Sequence, residues 1–180
     1  DNHDAPLEEL MKYIKGPDFP TGGVIYGNNS IMQAYGTGKG SIVIRAVAEI
    51  EEDKKGNQQI VITEIPFQVN KSTLVTKIAE LVKEKRIVGI SDLRDESNRH
   101  GVRVVVELKK DSYPKKILNQ LYKMTPMQSA FHVNMLALVD GIQPRVMTLE
   151  MMLREFTKHR QIVVRRRTEF ELGKAKERAH

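Results

Sequence analysis

No cysteine occurs among the 180 residues, which removes disulfides, zinc–thiolate sites and thiol chemistry together and fits a reducing compartment. Tryptophan is absent too, and aromatic residues make up only 6%. No apolar run approaches the ~20 residues that a membrane-spanning helix needs, and the mean hydropathy is −0.41, so no membrane partner is expected. The opening Asp1-Asn2-His3-Asp4 is polar and acidic, unlike a secretory leader. Since the chain starts without Met and ends in Arg178-Ala179-His180 with no helix stop, it is expected to be a piece of a longer protein. The five histidines, His3, His100, His132, His159 and His180, show no short ligand spacing, and no nucleophile-elbow pattern is present. A metal site is therefore not expected in this chain.

What is present is positive charge, unevenly placed. The net charge is +6. Between Arg154 and His180 nine Lys and Arg residues face four Glu, so almost all of the excess lies in the last 27 residues. Such a balance makes a polyanion the default partner. A solvated basic helix carries the same charge, however, and charge alone names no ligand.

Periodicity divides the chain. Residues 6–15 read as a short helix, with Pro6 in the first turn, Asp4 as its cap and Leu7, Leu10, Met11 and Ile14 in one stripe. The Gly16–Gly23 stretch, with Pro17 and Pro20, reads as a boundary. Ser41–Glu51 alternates strictly, Ile42, Ile44, Ala46, Ala48 and Ile50 to one side, and predicts one strand with a buried face. Asp53-Lys54-Lys55-Gly56-Asn57 is turn chemistry, and Gln59–Ile65 completes a hairpin. Ser72 is the expected cap of a helix over Thr73–Lys85, with Leu74, Ile78, Leu81 and Val82 inward. Val102–Lys109 predicts a third strand, 112–123 a second packed helix and Phe131–Val139 a fourth strand. The fold class expected is α+β, a small and mostly antiparallel sheet with packed helices. From Thr148 onward there is no proline, and Leu149, Leu153, Phe156, Val163 and Phe170 fall at helical spacing. Some 33 residues predict a rod of about 50 Å, a coiled-coil-type arm.

Among motifs, Tyr35-Gly36-Thr37-Gly38-Lys39-Gly40-Ser41 resembles a phosphate loop only superficially. A Walker loop needs Gly-Lys-Ser/Thr between a strand and a helix, whereas Gly40 follows Lys39 here and the stretch leads into a strand. Read as a Gly-rich loop carrying one lysine, it can approach a DNA phosphate closely, or be a plain turn. The acids Asp92, Asp95 and Glu96 are interleaved with Arg94 and Arg99, which predicts ion pairing on a surface loop rather than acid–base chemistry. Arg165-Arg166-Arg167 cannot all face one groove, so some are expected to pair with Glu169 or a neighbouring element.

Five stretches carry a family resemblance, in order and over essentially the whole chain. They are Gly16-Pro-Asp-Phe-Pro-Thr21, Ala34-Tyr-Gly-Thr-Gly-Lys-Gly40, Ile62-Thr-Glu-Ile-Pro-Phe-Gln-Val-Asn-Lys71, Leu93-Arg-Asp-Glu-Ser97 and Val164-Arg-Arg-Arg-Thr-Glu-Phe-Glu-Leu-Gly-Lys-Ala-Lys-Glu-Arg-Ala-His180. Together they resemble the A subunits of the DNA gyrase family of type IIA topoisomerases, with the topoisomerase IV A subunits as the near relatives. The resemblance implies that residues 1–20 are the tail of a winged-helix domain, 21–146 a tower domain and 147–180 the start of a coiled-coil arm. It implies a cytoplasmic bacterial enzyme that cuts, passes and reseals double-stranded DNA, as an A-subunit homodimer with gyrase B subunits in an A2B2 assembly. Magnesium and ATP, the latter on the B subunits, are implied for the holoenzyme, and no cofactor for this stretch. The family's nucleophile is a tyrosine preceded by arginine. None of Tyr13, Tyr26, Tyr35, Tyr113 or Tyr122 follows one, so this stretch is expected to hold and bend DNA without cutting it.

Bending a stiff duplex costs on the order of 1–6 kcal/mol, offset by phosphate contacts that ignore sequence. The expected contacts are Gln68, Asn70 and Lys71 before the first packed helix, ranked first on the resemblance, then Thr37, Lys39 and Arg45. Asn70 could instead simply cap the helix. Two other readings stay open, a gyrase-like DNA-binding protein without a nucleophile and a module whose basic helix binds a protein.

Overall fold

The computed structural model describes residues 5–53 and 56–179. The fold is α+β, antiparallel sheets with five helices, the last a long C-terminal one. Helix α1 (Leu7–Tyr13) begins at Pro6, which makes no side-chain cap; the expected cap, Asp4, lies outside the described residues. Strand β1 (Val24–Tyr26) and helix α2 (Asn28–Thr37) follow, neither evident from the sequence pattern. Helix α2 corrects the loop reading of Tyr35-Gly36-Thr37, which form its last turn. The turn residue is Gly38, at φ +76°, whose N–H donates to the Ala34 carbonyl at 2.8 Å. A left-handed glycine just past the last turn is how helices commonly stop.

The single strand expected over Ser41–Glu51 is two strands, β2 (Lys39–Arg45) and β3 (Val47–Glu52), in different sheets. Ala46 between them donates its N–H to the Met127 carbonyl at 2.7 Å, and the register shifts between Val47 and Ala48. Ile42, Ile44 and Ala46 are all buried. Past the break the burial fades, with Ala48 only partly buried and Ile50 exposed, so Ile50 does not lie on the buried face expected of it. The apolar alternation in the sequence runs on regardless, which is why it does not reveal the break. Strand β4 (Gln58–Glu64) pairs antiparallel with β3, as the hairpin reading requires.

Helix α3 (Lys71–Lys83) is followed by β5 (Ile90–Asp95), β6 (Val104–Leu108), α4 (Pro114–Met124) and β7 (Gln128–Asn134). The cap of α3 is Asn70, whose side-chain oxygen accepts from the Thr73 N–H at 3.1 Å, and not Ser72. Strand β5 replaces the surface loop that its charged, exposed residues suggest. It is one edge of the four-stranded sheet β3-β4-β6-β5, β3 being the other, and charged side chains are how proteins blunt such edges. The core lies between one face of this sheet and the two helices. Ile60, Ile62, Val104 and Val106 meet Leu74, Ile78 and Leu81 of α3 and Ile117 and Leu121 of α4.

The fourth strand expected over Phe131–Val139 also divides, into β7 and β8 (Leu136–Val139), and β8 pairs with a further strand, β9 (Gln143–Val146), across the Asp140-Gly141 turn. Strand β7 joins the sheet β1-β2-β7. Helix α5 (Leu149–Ala179) is the predicted rod. Of its seam, Leu149 is buried while Phe156 and Phe170 are more than 60% exposed. No described helix is long and apolar enough to cross a membrane. The chain divides into two compact units, one formed by the chain up to Gly16, Asn29–Gly40 and the chain from Val133 onward, the other by Pro17–Asn28 and Ser41–His132.

Candidate nucleic-acid interface

The six residues that the sequence points to fall in both units. Within the second unit, strand β4 ends at Glu64 and the chain turns through Ile65-Pro66-Phe67-Gln68-Val69-Asn70 into α3. The Val69 N–H donates to the Pro66 carbonyl at 3.1 Å, closing a tight turn with Gln68 at φ +66°. A non-glycine residue in that region costs on the order of 1–3 kcal/mol and persists only where its surroundings impose it. Here three rings impose it. Phe67 lies 5.5 Å from Phe19 and 5.7 Å from Phe131, and Phe19 lies 5.0 Å from Phe131. Each such aromatic pair contributes about 0.5–1.5 kcal/mol beyond its burial. The cluster fixes the turn and leaves Gln68 exposed.

Asn70 and Lys71 follow at the open end of α3. The Asn70 side chain is engaged as the helix cap. Lys71 is the first helical residue, where the macrodipole disfavours a cation by a few tenths of a kcal/mol to about one. Its ammonium is offset by the Asp95 carboxylate, 2.7 Å away at the end of β5, with both side chains about one-third exposed. Lys71, with the Ser97 side chain and N–H, holds the Asp95 carboxyl down at about 2. Asp95 thus pairs with a distant lysine, and not with an arginine of its own stretch as the interleaved charges suggest. Arg94 bridges Asp92, Glu96 and Glu107, and Arg103 bridges Glu96 and Glu51. Arg99 lies against His100, its Nε 3.4 Å from the ring Nε2.

Arg45, half-buried at the end of β2, is held on three sides. Its Nε donates to Gln128 Oε1 at 2.6 Å, and its guanidinium lies 4.0 Å from the Tyr26 ring centroid and 5.0 Å from that of Tyr122. Tyr122 in turn donates to the Ala46 carbonyl at 3.0 Å, and burial pushes its phenol upward. Tyr122 packs against the core, as its place beside Leu118 and Leu121 predicts.

In the first unit, Thr37 and Lys39 flank Gly38. Thr37 Oγ1 sits 2.8 Å from the Gln33 carbonyl and 2.7 Å from that of Lys39, its one proton serving one at a time. The Lys39 side chain is exposed and, among the described residues, has no ion pair. On α5, Arg154, Lys158 and Arg167 reach Glu150, Glu155 and Glu171 on their own helix. Arg167 therefore pairs one turn on, with Glu171 and not Glu169, and Arg160, Arg165 and Arg166 have no ion pair among the described residues.

Three features of this region escape the sequence pattern: Asp95 as the partner of Lys71, Tyr26 and Gln128 as the clamp on Arg45, and the three-phenylalanine cluster. The last has a signal. Phe19 and Phe67 each adjoin a proline, Phe19-Pro20 and Pro66-Phe67, and an aromatic ring pinned at a turn is a common anchor. Among the described residues no group of three or more His, Asp or Glu is placed to hold a metal ion.

The family model for the A subunit of DNA gyrase/topoisomerase IV matches residues 1–180. The DNA gyrase A subunit of Clostridium acetobutylicum is 58% identical over 180 residues, all of this chain and 22% of the relative. That of Pseudomonas aeruginosa is 56% identical over 182 residues, all of this chain and 20% of the relative. That of Staphylococcus epidermidis is 54% identical over 180 residues, 99% of this chain and 20% of the relative. The chain spans about a fifth of the length of these curated relatives.

Proposed function

Since this chain belongs to the A-subunit family of DNA gyrase and topoisomerase IV, we propose that it is a DNA-holding and DNA-bending part of a breakage-reunion subunit. The larger protein is a bacterial, cytoplasmic type IIA topoisomerase that introduces negative supercoils by ATP-dependent passage of one duplex through another. It works as an A2B2 assembly that uses magnesium and binds its ATP on the B subunits. Gyrase is favoured over topoisomerase IV because the relatives from Clostridium, Pseudomonas and Staphylococcus are all gyrase A subunits. Residues 1–20 belong to the winged-helix tail, 21–146 to the tower and 147–180 to the coiled-coil arm.

The observation that carries this reading is the rigid display of Gln68 and Lys71 beside the open end of α3. The Phe19–Phe67–Phe131 cluster fixes the turn, and the α3 N-terminus offers N–H groups that favour an anion. A phosphate arriving there shares the Lys71 ammonium with Asp95, and Gln68 donates an amide hydrogen. None of these contacts reads a base, so holding is independent of sequence. Lys39 and Thr37 make a second phosphate contact at the α2–β2 junction. Arg45, already clamped, orders the sheet that supports the first contact and presents what remains of its charge. No tyrosine here follows an arginine, so cleavage belongs to residues outside this stretch.

Two measurements test the reading. Competition between unrelated duplex sequences for the purified chain should show equal affinity, and incubation with supercoiled DNA and magnesium should yield no covalent adduct. A single preferred sequence, or a covalent protein–DNA adduct, overturns it.

A further inference from the structure

The cations beside the β5 edge of the four-stranded sheet are neutralised. Lys71, Arg94 and Arg103 each have a carboxylate within 3.3 Å. A different arrangement lies between the end of α3 and the start of α4, wholly within the second unit. Arg86, Lys109, Lys110 and Lys116 line one open cleft of about 490 Å³, with Asp111 as its sole carboxylate and Tyr113 on its rim, 77% exposed. Among the described residues Lys109, Lys110 and Lys116 have no ion pair, and Arg86 has only Glu84 at 4.0 Å.

The backbone that carries these cations is fixed. The Lys109 N–H donates to the Gly89 carbonyl at 2.8 Å, the Ser112 hydroxyl to the same oxygen at 2.9 Å, and the Ser112 N–H to the Lys109 carbonyl at 3.0 Å. Gly89 sits at φ +102°, and a Cβ there would meet Ile117 Cδ1 and Ser112 Oγ at 2.9 Å. The turn from Lys109 to Ser112 is thus a rigid mount. The N-terminus of α4 opens at the same place with Tyr113 as an N-cap that makes no side-chain hydrogen bond and with no acid in the first turn. No acid of that first turn offsets the positive end of the helix, which adds to the field of the four cations.

We infer that this cleft is a further phosphate-backbone site for duplex DNA, distinct from the Lys71 turn and from the Lys39 junction. The inference rests on the DNA-holding reading and adds a place to it. Lys71 and Arg86 stand at opposite ends of α3, about 20 Å apart along the helix, so the two sites are independent and their substitutions should add. Lys109, Lys110 and Lys116 take phosphate oxygens, and the Tyr113 hydroxyl donates to the backbone beside them.

The test uses this chain, a labelled mixed-sequence duplex and fluorescence anisotropy across a salt series. Lys109→Gln/Lys110→Gln should weaken binding by about tenfold at low salt and reduce the log K against log salt slope by about two, one unit for each lost phosphate contact. Lys109→Glu/Lys110→Glu should weaken it further, and Lys116→Gln alone should remove about one unit of slope. Melting temperature serves as the fold control, and Lys116→Gln, outside the turn, keeps the test decisive should the double variants unfold. Wild-type binding in all of the folded variants overturns the cleft site while leaving the Lys71 site standing. No duplex binding by the unmodified chain overturns both.

Discussion

Helices α3 and α5 both space their apolar residues at helical intervals, yet they are held in place by different means. In 13 residues α3 buries Leu74, Ile78 and Leu81 almost completely against the sheet. Over 31 residues α5 buries only Leu149, and Phe156 and Phe170 stay in solvent. Apart from its first turns, which meet α1, what stabilises α5 within the chain is local. The pairs Arg154–Glu150, Lys158–Glu155 and Arg167–Glu171 contribute a few tenths of a kcal/mol each. The same sequence signal therefore marks a finished interface in one helix and a mostly exposed face in the other, and only burial tells them apart.

The largest expected effect separates the two directly. Ile78→Ala removes a side chain with no exposure and should cost about 2–5 kcal/mol in chemical denaturation. Phe170→Ala, 63% exposed, should change stability by no more than about 0.5 kcal/mol. A loss at Phe170 comparable to that at Ile78 would mean that the α5 stripe is covered, and sedimentation would then show whether a second copy covers it.

The unit that contains α5 has its own point of strain. Gly38 holds φ +76°, and a Cβ there would run into the Met147 carbonyl and the Val146 side chain. Gly38→Ala should cost about 1–3 kcal/mol in denaturant midpoint. An unchanged midpoint would show that the α2–β2 junction is soft.

The smallest effect belongs to the Lys71–Asp95 pair at the start of α3. Unfolded, Asp95 titrates near 3.8; folded, Lys71 and Ser97 hold it at about 2. Its folded value is depressed, so its contribution is present above about pH 4 and fades as pH falls towards 2. The pair is well exposed, and screening keeps its worth under about 1 kcal/mol. Asp95→Asn should lower the melting temperature slightly at pH 7 and leave it unchanged near pH 2. It should also tighten duplex binding, because Lys71 loses its competing carboxylate. Weaker binding in Asp95→Asn would place the pair in the fold rather than at the DNA.

The packed helices, the β3–β4 hairpin and the long arm are legible in the sequence because their periods are strong and local. The break at Ala46 is not, since the apolar alternation of the sequence continues while the hydrogen-bond partner changes to Met127, far along the chain, and burial fades by Ile50. Strand β5 is hidden by its charge, and β9 by Pro144 and by its short length. At the site, position is legible but partnership is not. Lys71 can be placed at a helix start from Pro66 and the following stripe, whereas Asp95 lies on a later strand that the sequence disguises. Arg45 stands in the sequence as a free cation, and its clamp of Tyr26, Tyr122 and Gln128 comes from three separate elements. The lysines of the Lys109–Lys116 cleft are unremarkable in sequence, and they come to matter only when the fold sets them beside Arg86.

The claim that this chain grips DNA by its phosphates is tested most directly by the salt dependence of duplex binding in the unmodified chain and in Lys71→Ala. Three to five phosphate contacts predict a slope of log K against log salt of roughly −3 to −4.5, reduced by about one unit in the variant. A slope near zero, or the same slope in both proteins, would contradict it.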